Sequence, residues 1–247
     1  MKFNYLIKVE YDGTNFVGWQ HQKKGKTIQG EIEKVFKKIL KKNVKIIGAG
    51  RTDKGVHAKG QFAHFKINEK IKDLNKFLCS INFFLSKKLI SIISIKKKNQ
   101  KFHSRYLAKE RIYKYIIINR PSNLSLENNR AWHVRKKLDI KLMKRGAKEF
   151  IGKHDFSTYR SSSCSAKSAL KDMNYVSVKK KEETITIIFK SQSFLQNQVR
   201  SMVGCLEYLG KKKWNLQKFI QVFKLKKRSL CAPPAPACGL YLLDVKY

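Results

Sequence analysis

Over the first forty residues the apolar spacing changes from every second residue to every third or fourth, which restricts the chain to folds that mix sheet with helix. Phe3, Tyr5, Ile7, Val9 and Tyr11 alternate with mostly polar neighbours, the pattern of a half-buried strand. A loop punctuated by glycines, Asp12 to Gln20, follows it. Thr27 then stands where it can cap a helix whose apolar residues Ile28, Ile32, Val35, Phe36, Ile39 and Leu40 share one face.

The same change of period recurs down the chain. Strands are expected at 44–49, 61–67 and 89–96, and a helix at 71–84 carrying Ile71, Leu74, Phe77, Leu78 and Ile81. Lys96, Lys97 and Lys98 mark a solvated edge. A long strand over 106–119 places Tyr113, Tyr115 and Ile117 on one face and ends at a polar loop containing Pro121. Asp139 is placed to cap a helix bearing Leu142, Met143, Phe150 and Ile151, and 172–179 with 184–191 form a hairpin around a charged turn. Residues 195–209 return to helical spacing, with Gly210 as the stop. A short helix after Asn215 and a closing strand, Gly239 to Tyr247, complete the order, and the Pro- and Ala-rich stretch from Cys231 to Cys238 resists both helix and central strand. Both halves interleave strands with a few helices, so the expected class is α+β with two sheet-based lobes, 1–104 and 105–247. If the opening strands of the lobes neighbour each other, a shared sheet would leave a basic cleft between them.

Charge narrows the partner. Lys and Arg number 55 against 17 Asp and Glu, a formal net charge of +38, which suits a polyanion such as nucleic acid. Lysine carries most of that charge, a pattern that biased nucleotide composition also produces. The five cysteines are widely spaced with no C-x-x-C, and no two histidines form a helical pair beside a glutamate, so free thiols and no metal are expected. The N-terminus alternates polar with apolar residues, unlike a signal peptide, and no apolar run is long enough to span a bilayer, so the expected location is the cytoplasm.

Against that basic background a lone carboxylate, Asp53, stands in AGRTDKGVHA (Ala49 to Ala58) among Arg51, Lys54 and His57. Neighbouring cations favour its ionised form, which makes it a candidate nucleophile or base rather than an acid. Gly50 and Gly55 allow sharp bends, while Thr52 and His57 offer hydrogen bonds. The plainer reading is an aspartate that caps a turn or pairs with Arg51, and spacing does not separate the two.

The stretch AGRTDKGVHA followed by KGQFAHF resembles the signature loop of the tRNA pseudouridine synthase A family. DGTNFVGWQ, FHSRYLAKERIYKYII, GKHDFSTYR, SFLQNQVRSMVG and APACGLYLLDVKY are similar to further blocks of that family, in the same order along nearly the whole chain. The departures are small: Ile112 where a basic residue is frequent, and a slightly expanded C-terminal loop. The resemblance implies a pseudouridine-synthase-like fold and an isomerase that converts uridine to pseudouridine at positions 38, 39 and 40 of the tRNA anticodon stem-loop, without a cofactor and as a homodimer. It implies that Asp53 is the essential aspartate, that Tyr113 stacks on the flipped base, and that Arg200 and Arg51 orient Asp53 and keep it charged. By pattern alone Tyr115 fits a stacking role as well as Tyr113 does, and Arg200 reads as a solvated helix-face cation. His57 and His64 are expected in core or supporting roles, and His154 to Ser157 as structural. Lysine clusters such as Lys23-Lys24, Lys37-Lys38 and Lys211 to Lys213 suit phosphates without reading sequence. Two alternatives stay open: a synthase of the same fold acting elsewhere in tRNA, and a non-catalytic RNA-binding protein.

Overall fold

The computed structural model describes residues 2–247 and divides them into two compact units, one running to Lys109 and taking in Leu242–Tyr247, the other Glu110–Tyr241. In the first unit, strands β1 (Phe3–Tyr11), β2 (Ile46–Gly48), β3 (His57–Ile67) and β4 (Ile90–Lys98) join helices α1 (Ile28–Leu40) and α2 (Leu74–Leu85). β1 lies antiparallel between β3 and β4, with Tyr5 opposite Phe65 on one side and Lys97 on the other. β2 pairs antiparallel with β3, Ile46 opposite Phe65.

Both faces of β1 are largely covered: Tyr5, Ile7, Val9 and Tyr11 are buried as the alternation predicts, and Asn4 and Leu6 are buried opposite them. Rings from four elements meet on the first face. Tyr5 stacks on Phe65, and Phe36 of α1 sets its edge against Phe65 and lies beside Phe77 of α2. Thr27 caps α1 as expected, its side chain accepting from Gly30 N at 3.1 Å.

Three expectations are corrected in this unit. α2 begins at Leu74 rather than at 71, because the Asp73 carboxylate accepts from Asn75 N and Lys76 N and so supplies a stronger start. Ile71 instead donates its backbone N–H to the Tyr5 hydroxyl. β3 begins at His57, four residues earlier than 61–67, so His57 is a strand residue beside the Asp53 loop. Residues 106–109 are not strand; Tyr106 and Leu107 end a turn that begins at Ser104, and Ala108 and Lys109 lead irregularly into β5.

The second unit contains β5 (Glu110–Ile118), β6 (Trp132–His133), α3 (Ile140–Lys148), β7 (Gly152–Asp155), β8 (Leu170–Lys181), β9 (Thr184–Ser191), α4 (Gln198–Gly210) and α5 (Leu216–Lys224). Strand order is β5-β9-β8-β7, with β6 parallel to β5. The β8-β9 hairpin closes with Lys181 opposite Thr184, and Glu182 takes the left-handed conformation at φ 53°. The last strand, β10 (Leu240–Lys246), reaches the first unit from Leu242 onward and lies beside β3.

α3, capped by Asp139 through Leu142 N, ends before Phe150 and Ile151. Bonds spanning three residues, such as Phe150 N to Ala147 O, tighten its end, and Gly152 then turns the chain at φ 105°. That turn drives Phe150 into a cluster with Tyr159, Phe219 and Phe223 and leaves Ile151 exposed. Gly210 does not end α4 by conformational freedom, since the left-handed residue there is Lys212. It is needed for space, because a Cβ would lie 2.8 Å from the Met143 sulfur. His154 and Asp155 lie in β7, and all five cysteines are free thiols.

Candidate active site

The Asp53 loop connects β2 to β3, and the polypeptide holds it from three sides. Ala49 N donates to Phe62 O at 2.7 Å, and the Gln61 amide donates to Gly50 O at 2.8 Å, tying the entry of the loop to β3. Val56 N donates to Asp53 O at 3.1 Å, closing a turn in which Gly55 takes φ 77°. Of the two glycines expected to bend the loop, only Gly55 adopts that conformation. Asp53 itself is half-buried at the start of the turn, between buried Thr52 and exposed Lys54, and Arg51 is exposed.

The third side is the loop after β1. Trp19 N donates to Thr52 O at 3.1 Å, Gly55 N donates to Phe16 O at 3.3 Å, and the Tyr11 and Thr52 hydroxyls lie 2.7 Å apart. Two glycines let the backbones touch: a Cβ on Gly13 would stand 2.0 Å from Val56 O, and one on Gly18 would stand 2.6 Å from Thr52 O and 3.3 Å from the Asp53 carbonyl carbon. The indole of Trp19 covers Gly48 in the same way. α1 anchors this loop in turn, with Ile28 N bonded to Gly18 O and Gln29 N to Trp19 O. His57, buried at the start of β3, accepts from Gly13 N through Nδ1 at 3.1 Å and lies 3.2 Å from the Asp12 carboxylate. It therefore braces the loop junction, a supporting role. The sequence shows DGTNFVGWQ as a loop, but nothing in its spacing pairs residue 18 with residue 52.

In the second unit, Tyr113 and Arg200 are both held by the segment between β9 and α4. The ring of Phe194 packs edge-on against Tyr113 at 5.0 Å, and the Arg111 guanidinium donates to Gln192 O. Arg200, in the first turn of α4, donates from Nε to Ala235 O at 2.7 Å and from an Nη to the Asn197 side chain at 3.3 Å. Its own carbonyl accepts from Ala235 N at 2.9 Å. It is thus a half-buried, oriented guanidinium and not the solvated helix-face cation that spacing alone suggests.

The two tyrosines of β5 are both buried but are held differently. Tyr115 is fully buried, its hydroxyl is committed to Pro236 O at 2.7 Å, and burial pushes its ionisation well above the usual phenol range. Gly239 lies against its ring so closely that a Cβ would stand 2.6 Å away. Tyr115 is a core residue; Tyr113 retains 8% exposure. Arg51 and Asp53 therefore share one loop of the first unit, while Tyr113 and Arg200 share one supporting segment of the second.

His64, the other histidine singled out, points into the first unit, where its Nδ1 lies 2.8 Å from the Ser104 hydroxyl. Burial, with His103 and Lys66 nearby, holds its pKa down at about 4 against 6.5 when unhindered. The folded state thus resists a proton that the unfolded chain accepts, so this contribution is intact above pH 6.5 and is lost as pH falls toward 4. Urea unfolding across that range should show stability falling with acid, and His64→Asn should flatten the fall by on the order of 2 kcal/mol. An unchanged slope in the variant would exclude His64 as the cause.

Among the described residues no helix is long and apolar enough to cross a membrane, and no group of three metal-ligating side chains occurs. Compared with known proteins, the chain matches the family model described as tRNA pseudouridine synthase over residues 7–107 and 147–247. It is 59% identical over 245 residues to tRNA pseudouridine synthase A of Pelagibacter ubique, covering 99% of this chain and all of that protein. It is 39% identical over 243 residues to the protein of that name from Xanthobacter autotrophicus, covering 98% of this chain and 99% of that one. Against the Rhizobium meliloti protein of that name it is 40% identical over 244 residues, covering 98% and 99% respectively.

Proposed function

As the chain belongs to the tRNA pseudouridine synthase family, we propose that it converts uridine to pseudouridine at positions 38, 39 and 40 of the tRNA anticodon stem-loop, acting as a cytoplasmic homodimer with Asp53 as its essential carboxylate. The observation that carries this reading is the placement of Asp53. In a chain with a net charge of +38, Asp53 stands half-buried on a loop whose backbone is bonded to β3 and to the loop after β1.

The target uridine leaves the helical stack so that its glycosidic bond becomes accessible. Asp53 then either attacks C1′ or removes a ribose proton, and the bond from C1′ to N1 breaks. The freed uracil turns within the site and C5 bonds to C1′, as the bond from Asp53 to C1′ breaks in the first route or the ribose carbon regains its proton in the second; the hydrogen on C5 departs as a proton and N1 gains one. Atoms balance without an oxidant or a cofactor. Tyr113 receives the base by stacking, and Arg200 and Arg51 orient the carboxylate and favour its charged form. Supporting Tyr113 is its position on β5 with Phe194 at its edge; supporting Arg200 are its bonds to Ala235 and Asn197. Lysines scattered over the surface hold phosphates, so binding is expected to weaken steeply with salt.

The test is tritium release from C5-labelled uridine in an unmodified tRNA transcript, followed by mapping of the modified sites. Release with pseudouridine at 38 to 40 is the expected result. Release with modification elsewhere would move the target, and no release from a tRNA carrying uridine at those positions would overturn the enzymatic reading.

A further inference from the structure

Just before β5 the chain makes a turn that displays an aromatic ring to solvent on a rigid base. Tyr106 is 73% exposed, the next residue, Leu107, is 50% exposed, and the Tyr106 ring is stacked on His103 at 4.2 Å with the planes 25° apart. His103 in turn packs on buried His64 at 4.6 Å. The outermost ring is therefore supported on one face and open on the other.

The turn is pinned from below. His103 Nδ1 accepts from the backbone N–H groups of Arg105 and Tyr106, and Leu107 N bonds to His103 O. Ser104, fully buried, donates its hydroxyl to Ile47 O at 2.6 Å and lies against His64, while its carbonyl accepts from the Tyr247 hydroxyl. A large side chain held over His103 but mostly in water gains little from burial, and its stacking restricts conformational freedom that docking would otherwise remove.

The surroundings are cationic. From Lys96 to Lys109 the sequence holds six Lys and Arg and no Asp or Glu, with Lys66 and Arg105 near the His103 ring. Burial first, and those two cations second, lower the His103 pKa, which keeps the imidazole neutral and the stack free of its own charge. A flat open ring with Lys66 and Arg105 beside its supporting histidine has the composition of a stacking platform for single-stranded nucleic acid. Apolar contact with another protein surface would not need the cations.

We propose that Tyr106, backed by His103, is an RNA-binding platform on which an unpaired base of the tRNA substrate stacks, a contact separate from the residues assigned to the reaction. It rests on the reading of this chain as a tRNA-modifying enzyme. Its contribution is to docking, through π-face contact that tolerates any base, while Arg105 and the neighbouring lysines hold the adjoining phosphates.

Equilibrium binding of an unmodified tRNA transcript at several salt concentrations tests it, with wild type, Tyr106→Phe and Tyr106→Ala. Removing the ring should weaken binding about tenfold with the salt slope unchanged, and Tyr106→Phe should bind as wild type does. Because the ring is exposed, the thermal midpoint of Tyr106→Ala should stay at the wild-type value. Equal affinity of Tyr106→Ala and wild type would overturn the proposal, as would equal weakening by both substitutions, which would assign the contact to the hydroxyl. A shift of Tyr106→Ala to smaller mass in light scattering would instead make this face a contact between copies of the chain. Failure of wild type itself to bind the transcript would remove the functional reading, and this platform with it.

Discussion

Asp53→Ala and Asp53→Asn are both expected to reduce tritium release from C5-labelled tRNA by at least about 10³-fold while leaving tRNA affinity within a few-fold of wild type. The asparagine variant is the more informative. It preserves the size of the side chain and its ability to accept hydrogen bonds, and removes only the negative charge and the nucleophilic or basic oxygen. If Asp53 merely capped its turn, asparagine would do nearly as well, since both residues favour such positions. The turn has its own backbone closure from Val56 N to Asp53 O and its own left-handed glycine, Gly55, so it should survive either substitution. Binding should also survive, because affinity for a polyanion comes from many lysines and a single carboxylate opposes it. Turnover retained by Asp53→Asn would return Asp53 to a turn residue and leave the reaction without its carboxylate.

Gly18→Ala is expected to lower kcat by about 10²-fold with little change in the KM for tRNA, although residue 18 lies outside the catalytic loop. Two effects combine. The backbone at φ 117° is a conformation that alanine rarely adopts, and the added Cβ would stand 2.6 Å from the carbonyl oxygen of Thr52, the residue before Asp53. The strain is relieved only by moving the loop after β1 or the Asp53 backbone, and Trp19 N bonded to Thr52 O ties the two together. Gly25→Ala is the matched control. It has a comparable positive φ of 90°, but the atoms nearest its Cβ belong to the Val17 side chain and not to the backbone of the Asp53 loop. Gly25→Ala should lose stability, by about 1–3 kcal/mol, without a matching loss in kcat. Equal losses of kcat in the two variants would mean that general destabilisation, and not displacement of Asp53, explains the Gly18 effect.

Local signals were legible wherever the chain carries its own instructions. The period-two face of β1, the caps Thr27 and Asp139, the short helix after Asn215, and the charged turn between β8 and β9 all stand where spacing and turn chemistry put them. The misplacements share one cause, a boundary decided by a partner or a turn that pattern does not display. Ile71 continues the apolar spacing of α2 but lies outside it because Asp73 caps later. Residues 106–109 lead into β5 but stay outside it, Tyr106 held in a turn by the His103 ring and Lys109 N bonded to Lys246 O. Phe150 fits the stripe of α3, yet three-residue bonds end the helix at Lys148 and Gly152 turns the chain, placing that ring in an aromatic cluster.

By itself, the sequence determined the α+β class, the charge that selects a polyanionic partner, and the family, since ordered blocks run nearly its whole length and the matching relatives span it. Those properties are local or additive, so they are readable one segment at a time. Only the tertiary structure decided how Tyr115 of β5 is held, because its partners Pro236 and Gly239 are both more than a hundred residues away. Tertiary structure alone also turned Arg200 from a helix-face cation into an oriented guanidinium, through Ala235, and joined Gly18 to Thr52. Close approach of distant backbones and hydrogen bonds across long sequence separations leave no periodicity behind, so the precise support of a site is written only in the folded chain.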